Sequence, residues 1–284
     1  MSGSGASAPW PAASNPSSQI SRPGRPAHPP GGSPFQRSSG TILPMEAHHQ
    51  VPLSGGRAMP AFLAAPDDPA PAPRPGILVI HEVFGLNDDI RAQARRVAAL
   101  GWVALAPDLL AALGPRPLCI VRAFRDLSRG SGPAFEALEA ARTWLGARPE
   151  VDPARLGVIG FCMGGGFALL LAARAPYRSA AVFYGAVPKD PAALEGACPI
   201  LAGYGARDRL FAPQGRRLLE HLEHLGIPHD VVIYPDAGHS YMNRHSGLIA
   251  KLGAWGPMKV AYNPAAAEDS WRRIADFFAA HLGA

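Results

Sequence analysis

Leu156-Gly157-Val158-Ile159-Gly160-Phe161-Cys162-Met163-Gly164-Gly165-Gly166 runs from a short apolar strand into a glycine-rich turn, and the helical run Phe167 to Ala175 follows it. Gly160 to Gly164 match the strand-to-helix pattern G-x-nucleophile-x-G, in which a sharp turn lifts one side chain above the end of a sheet. Such a turn is strained and accepts only small neighbours, which Gly160, Gly164, Gly165 and Gly166 supply. A helix that opens directly behind Cys162 aims its positive end at the sulfur and favours thiolate. It also offers the Met163 amide to an oxyanion. The competing role for a free cysteine is that of a small buried hydrophobe, and this is the reading for Cys119 and Cys198.

Outward from this turn, apolar runs alternate with helical stretches from Gln50 onward, the pattern of βαβ units and a mostly parallel sheet. Strands are predicted at Gly76 to His81, Trp102 to Ala106, Leu156 to Phe161, Ala180 to Tyr184, Ile200 to Tyr204 and Val231 to Tyr234. Helices are predicted from an N-cap among Asn87, Asp88 and Asp89 to Gly101, then at Pro133 to Leu145, Phe167 to Ala175, Pro213 to Leu225 and Ala265 to Leu282. There are no internal repeats. Residues 1–44 hold nine prolines, three arginines and no acidic residue, too little apolar surface to offset the entropy of ordering. A disordered tail over 1–44 and one folded domain over 45–284 are therefore expected. The tail lacks a secretory signal core, and its prolines oppose the amphipathic helix of a transit peptide, although its acid-poor, Ser-rich composition leaves that alternative open; the abrupt change at Met45 makes it a candidate translation start.

Two partners for Cys162 follow in the chain. Asp208, in Tyr204-Gly205-Ala206-Arg207-Asp208, lies just past a predicted strand, and His239, in Asp236-Ala237-Gly238-His239-Ser240, lies just past the next. Open α/β sheets gather reactive groups at the carboxyl ends of their strands, so these three residues are expected to cluster in the order nucleophile, acid, histidine. His239 would take the thiol proton, and Asp208 would fix the tautomer and orientation of the ring. Asp236 is a rival orienter, although an aspartate beside Gly238 is more often a turn former.

His81-Glu82-Val83-Phe84-Gly85-Leu86-Asn87, Gly160-Phe161-Cys162-Met163-Gly164-Gly165 and Gly238-His239-Ser240-Tyr241 together resemble the dienelactone hydrolases, or carboxymethylenebutenolidases, of the α/β-hydrolase superfamily. The resemblance spans about Gln50 to Leu282. It implies an α/β-hydrolase fold, with helices on both faces of a mostly parallel central sheet, and a hydrolase that opens an ester or lactone through a cysteine triad. It also implies that Glu82 hydrogen-bonds the resting thiol and that Val83 supplies a second oxyanion amide beside Met163. Phe84, Ser240, Tyr241, Asn243 and Arg244 become candidates for substrate binding. The pattern departs from the founding enzymes where those grip an acidic substrate with two arginines: Ala112 and Asn243 occupy the places, and Arg244 stands one residue late. A less acidic ester or lactone is the expected substrate.

Other function classes find less support. A general carboxylesterase or thioesterase would use the same triad, and a binding protein of this fold would have no need of a complete Cys, Asp and His set. The net charge of +5 comes mainly from arginines scattered over helical stretches, so no nucleic-acid partner is expected. No apolar stretch approaches the roughly 20 residues of a membrane span. His221 with His224 and His48 with His49 lack a carboxylate or cysteine at ligand spacing, so neither metal nor cofactor is expected. Three cysteines without a C-x-x-C pair suggest a reducing, cytoplasmic compartment. A monomer or small homo-oligomer acting on a small molecule is the expected form.

Overall fold

The computed structural model describes residues 45–68, 73–245, 253 and 255–283. The tail expected over 1–44 lies outside them.

Eight strands form one sheet: β1 (Met45–Pro52), β2 (Ala58–Ala65), β3 (Arg74–Ile80), β4 (Val103–Pro107), β5 (Val151–Phe161), β6 (Ser179–Phe183), β7 (Ile200–Gly205) and β8 (His229–Tyr234). Their order across the sheet is β1-β2-β4-β3-β5-β6-β7-β8. β1 pairs antiparallel with β2, and β2 with β4, while β4 through β8 run parallel. The helices are α1 (Asp88–Ala99), α2 (Leu109–Leu113), α3 (Leu118–Arg129), α4 (Pro133–Gly146), α5 (Met163–Arg174), α6 (Ala212–Leu225) and α7 (Pro264–Leu282). This is the expected α/β-hydrolase architecture, a mostly parallel sheet with helices on both faces. Parallel strands covered on both faces read as continuous apolar runs, and β3, β4, β6 and β7 are buried along nearly their whole length.

The parallel strands fall within a few residues of their predicted places, but the antiparallel hairpin β1-β2 and the helices α2 and α3 were not foreseen. β1 is a largely exposed edge strand rich in His, Glu and Gln, with little apolar alternation to mark it. Helix α5 also begins four residues earlier than predicted, because Met163 to Gly166 already take helical backbone. Glycine permits this where chains crowd: a Cβ on Gly164 would lie 2.3 Å from the Ile80 carbonyl oxygen. Every residue of α5 from Met163 to Ala172 is buried, which explains a helix apolar all round.

Local signals set the other ends. Asn87 caps α1 by accepting from the Ile90 amide at 3.0 Å, and Asp126 does the same for the start of α4, accepting from Ala134 N at 3.0 Å. Gly130 and Gly226 close α3 and α6 in left-handed backbone.

Candidate active site

The carboxyl ends of β3, β5, β6, β7 and β8 bring the candidate residues together. Cys162 follows β5 with φ 54° and ψ −115°, a conformation that side chains rarely adopt. The turn is enforced on both sides: Cys162 N donates to Phe183 O at 3.0 Å, and Cys162 O accepts from Gly166 N at 3.2 Å. The side chain is half-buried. The first N–H groups of α5, Met163 first among them, have no intrahelical acceptor, so the helix that opens at Cys162 presents free donors at that end.

Asp208 follows β7 and is fully buried. Its Oδ1 accepts from the amides of Leu210 at 3.0 Å and Phe211 at 3.1 Å, and its Oδ2 lies 2.6 Å from His239 Nδ1. His239 follows β8, and its backbone is held by bonds to Met258 O at 2.8 Å and from Ala261 N at 3.3 Å. The imidazole lies between the rings of Phe211 and Tyr184, with centroids 4.6 and 4.9 Å away. Burial pushes its pKa down, but the Asp208 bond and the Cys162 sulfur outweigh burial and hold it at about 10. Nε2 makes no hydrogen bond of ordinary geometry. The sulfur acts on Nε2 electrostatically rather than through a formed hydrogen bond. Asp236, the rival orienter, is exposed and pairs with Arg207 at 2.6 Å, leaving Nδ1 to Asp208.

Glu82, just beyond β3, is 2% exposed. Its Oε1 accepts from Ser240 Oγ at 2.7 Å, and its Oε2 lies 2.8 Å from His245 Nε2. The expected hydrogen bond to the resting thiol is absent among the described residues; the carboxylate oxygens meet Ser240 and His245 instead. The loop itself is pinned by His81, fully buried, whose Nδ1 reaches Glu82 O at 2.6 Å while its Nε2 accepts from Leu109 N at 3.0 Å. These contacts assign the neutral, Nδ1-protonated ring, and burial keeps its pKa low.

The candidate binding residues divide. Phe84 packs edge-on against His245 with centroids 4.9 Å apart, and Ser240 reaches Glu82. Tyr241 is buried with its hydroxyl 2.9 Å from Ser270 Oγ on α7, directed into the core. Asn243 is buried too, its Oδ1 accepting from Gln93 Nε2 at 2.8 Å. Arg244 stacks on Tyr262, its guanidinium carbon 4.2 Å from the ring centroid. It lines a cleft of about 170 Å³ together with Arg96, Glu268 and Trp271. Ala112 is buried in α2.

Three residues that sequence reasoning did not single out sit at this end of the sheet: His81, Tyr184 and His245. Tyr184 has φ 42°, is fully buried, and its hydroxyl has no hydrogen-bond partner among the described residues. Burial together with the charges of Glu82 and Cys162 drives its pKa well up. Its place at the end of β6, next to the strand that carries Cys162, was the available signal.

A wider surface cleft of about 540 Å³ lies behind the His239 loop, lined by Arg207, Arg209, Asp236 and Lys259. It does not contain Cys162, and the reactive groups rather than cleft size locate the site. Among the described residues no cluster of three His, Cys, Asp or Glu side chains could hold a metal ion. No described helix is long and apolar enough to cross a membrane.

Residues 59–282 match the dienelactone hydrolase family. A protein of Methylorubrum extorquens, named by inference a carboxymethylenebutenolidase, is 31% identical over 245 residues, covering 81% of this chain and 79% of its own length. The solved structure named m3DLH superposes with a TM-score of 0.71 at 27% identity, covering 84% of this chain and 99% of that one. A dienelactone hydrolase-like promiscuous phosphotriesterase from metagenomic libraries gives a TM-score of 0.68 at 26% identity, covering 83% and 98%. The chain belongs to the dienelactone hydrolase family, and as such it is a carboxylic ester hydrolase.

Proposed function

We propose that the chain hydrolyses an uncharged ester or lactone of a small molecule through Cys162, His239 and Asp208. The observation that carries this reading is the buried relay in which Asp208 holds His239 Nδ1 at 2.6 Å while Nε2 faces the strained Cys162. An imidazole that keeps its proton to about pH 10 beside a thiol favours transfer of the thiol proton to Nε2.

The thiolate attacks the acyl carbon, and the carbonyl oxygen gathers charge toward the amides of Met163 and Val83. As the C–O bond breaks, the imidazolium gives its proton to the leaving alkoxide, which in a lactone stays tethered to the acyl group. His239 then takes a proton from water, which attacks the thioester, and the thiolate leaves to restore the resting pair. Asp208 stabilises the imidazolium throughout. A thiol nucleophile suits a reducing compartment such as the cytoplasm.

The test is turnover of a neutral lactone and a neutral aryl ester by Cys162→Ala, with Cys119→Ala as control. The alanine variant at 162 should lose hydrolysis and keep its fold, and the variant at 119 should keep most activity. Near wild-type turnover by Cys162→Ala would overturn the assignment.

A further inference from the structure

The Glu82 carboxylate is buried, and a buried carboxylate persists as an anion only with partners. Ser240 Oγ donates to one oxygen at 2.7 Å. His245 Nε2 lies 2.8 Å from the other, an ion pair by distance whose N–H is not aligned as in an ordinary hydrogen bond. The His245 side chain is 9% exposed, packed edge-on against Phe84 from the same loop as Glu82. The charged or titratable groups facing this pair are His239, Asp89 and Tyr184. Asp89, in the first turn of α1, leaves Oδ2 buried with no hydrogen-bond partner among the described residues. His245 thus feels two carboxyl groups, Glu82 in contact and Asp89 nearby.

We propose that His245 is a positioning residue: its ion pair with Glu82, together with the Ser240 hydroxyl, docks the carboxylate away from Cys162 and leaves the thiol proton to His239. The inference rests on the triad reading above. Burial opposes the charge on His245, but contact with Glu82 and the charge of Asp89 hold its pKa above the ordinary value. Glu82, despite burial, is held below its ordinary value by His245 first and Ser240 next. Each shift favours the charged form of its group. Without His245 the carboxylate loses its cation and is free to turn toward the sulfur, where a like charge opposes thiolate.

The experiment is the rate of Cys162 alkylation by iodoacetamide against pH, read on the Cys162 peptide by mass spectrometry, with kcat/KM measured in parallel. His245→Gln should slow labelling at pH 7 by about tenfold and move the inflection up by about one pH unit, the size of a single displaced charge contact. His245→Arg should restore most of both. A folded His245→Gln whose labelling profile overlays the wild type, or an arginine variant no better than glutamine, would overturn the proposal. If His245→Gln does not fold, Ser240→Ala removes the other hold and should move the profile in the same direction, and an unmoved profile there overturns it equally. Failure of the triad reading is seen separately, as wild-type Cys162 labelling that His239→Ala leaves unchanged; that result would sink both.

Discussion

A Cβ on Gly160 would lie 2.0 Å from the carbonyl oxygen of Gly164, so the strand before Cys162 and the helix after it touch backbone to backbone. The contact sets how sharply the chain turns and therefore where the sulfur sits. Gly160→Ala should force the two elements apart, because the obstructing atom is main chain and cannot rotate away. We expect a loss on the order of 3 kcal/mol in urea unfolding, with a still larger proportional loss of kcat. A Gly160→Ala variant as stable and active as the parent would show that the turn can relax.

Asp208 offers His239 a full negative charge, with its other oxygen fixed by two amides. Asp208→Asn keeps the shape but removes the charge, and its amide can present a donor to Nδ1 and so select the wrong tautomer. By the scale of such changes in triad hydrolases, kcat should fall by roughly 10²- to 10⁴-fold with KM little changed. A loss confined to KM would place Asp208 in substrate binding instead.

The same relay links stability to pH. His239 rises from an ordinary 6.5 to about 10 on folding, so the native state binds the extra proton more tightly than the unfolded chain. Its contribution is fully present below about pH 6.5 and is lost as pH rises toward 10. Urea unfolding at pH 6, 7.5 and 9 should show the stability difference between the wild type and His239→Gln narrowing as pH rises. A difference constant across that window would contradict the relay.

The residues that answer to local rules were legible in the sequence. The strained turn at Cys162 is a pattern of five residues, and Asp208 and His239 follow strands marked by continuous apolar runs such as Ile200 to Tyr204. The helix cap at Asn87 was equally plain. What escaped depends on contacts distant in sequence. His245 becomes part of the site only by meeting Glu82 across 163 positions, and His81 does so by joining the loops after β3 and β4. Tyr184 looks like the last residue of a strand, and only folding turns it over His239. The Glu82 oxygens could not be assigned to Ser240 rather than Cys162 from spacing, because both partners lie at the same sheet edge.

The last prediction concerns substrate charge. Arginines at two places would give a carboxylate a bidentate grip, and here those places hold Ala112 and Asn243, both buried, the latter bonded to Gln93. Arg244 could have replaced one of them, but its guanidinium lies over Tyr262 beside Arg96 and Glu268. Each missing charged hydrogen bond is worth roughly 1.5 to 3 kcal/mol, so two absent contacts amount to at least a hundredfold in binding. His245, at the same edge, is engaged by Glu82. We expect kcat/KM for a neutral methyl ester to equal or exceed that for the matched free carboxylate, and Arg244→Ala to leave this ratio within about twofold, as befits a surface stacking contact. A strong preference for the acid that Arg244→Ala abolishes would mean that the guanidinium leaves Tyr262 when substrate binds, and that this one residue serves as the clamp.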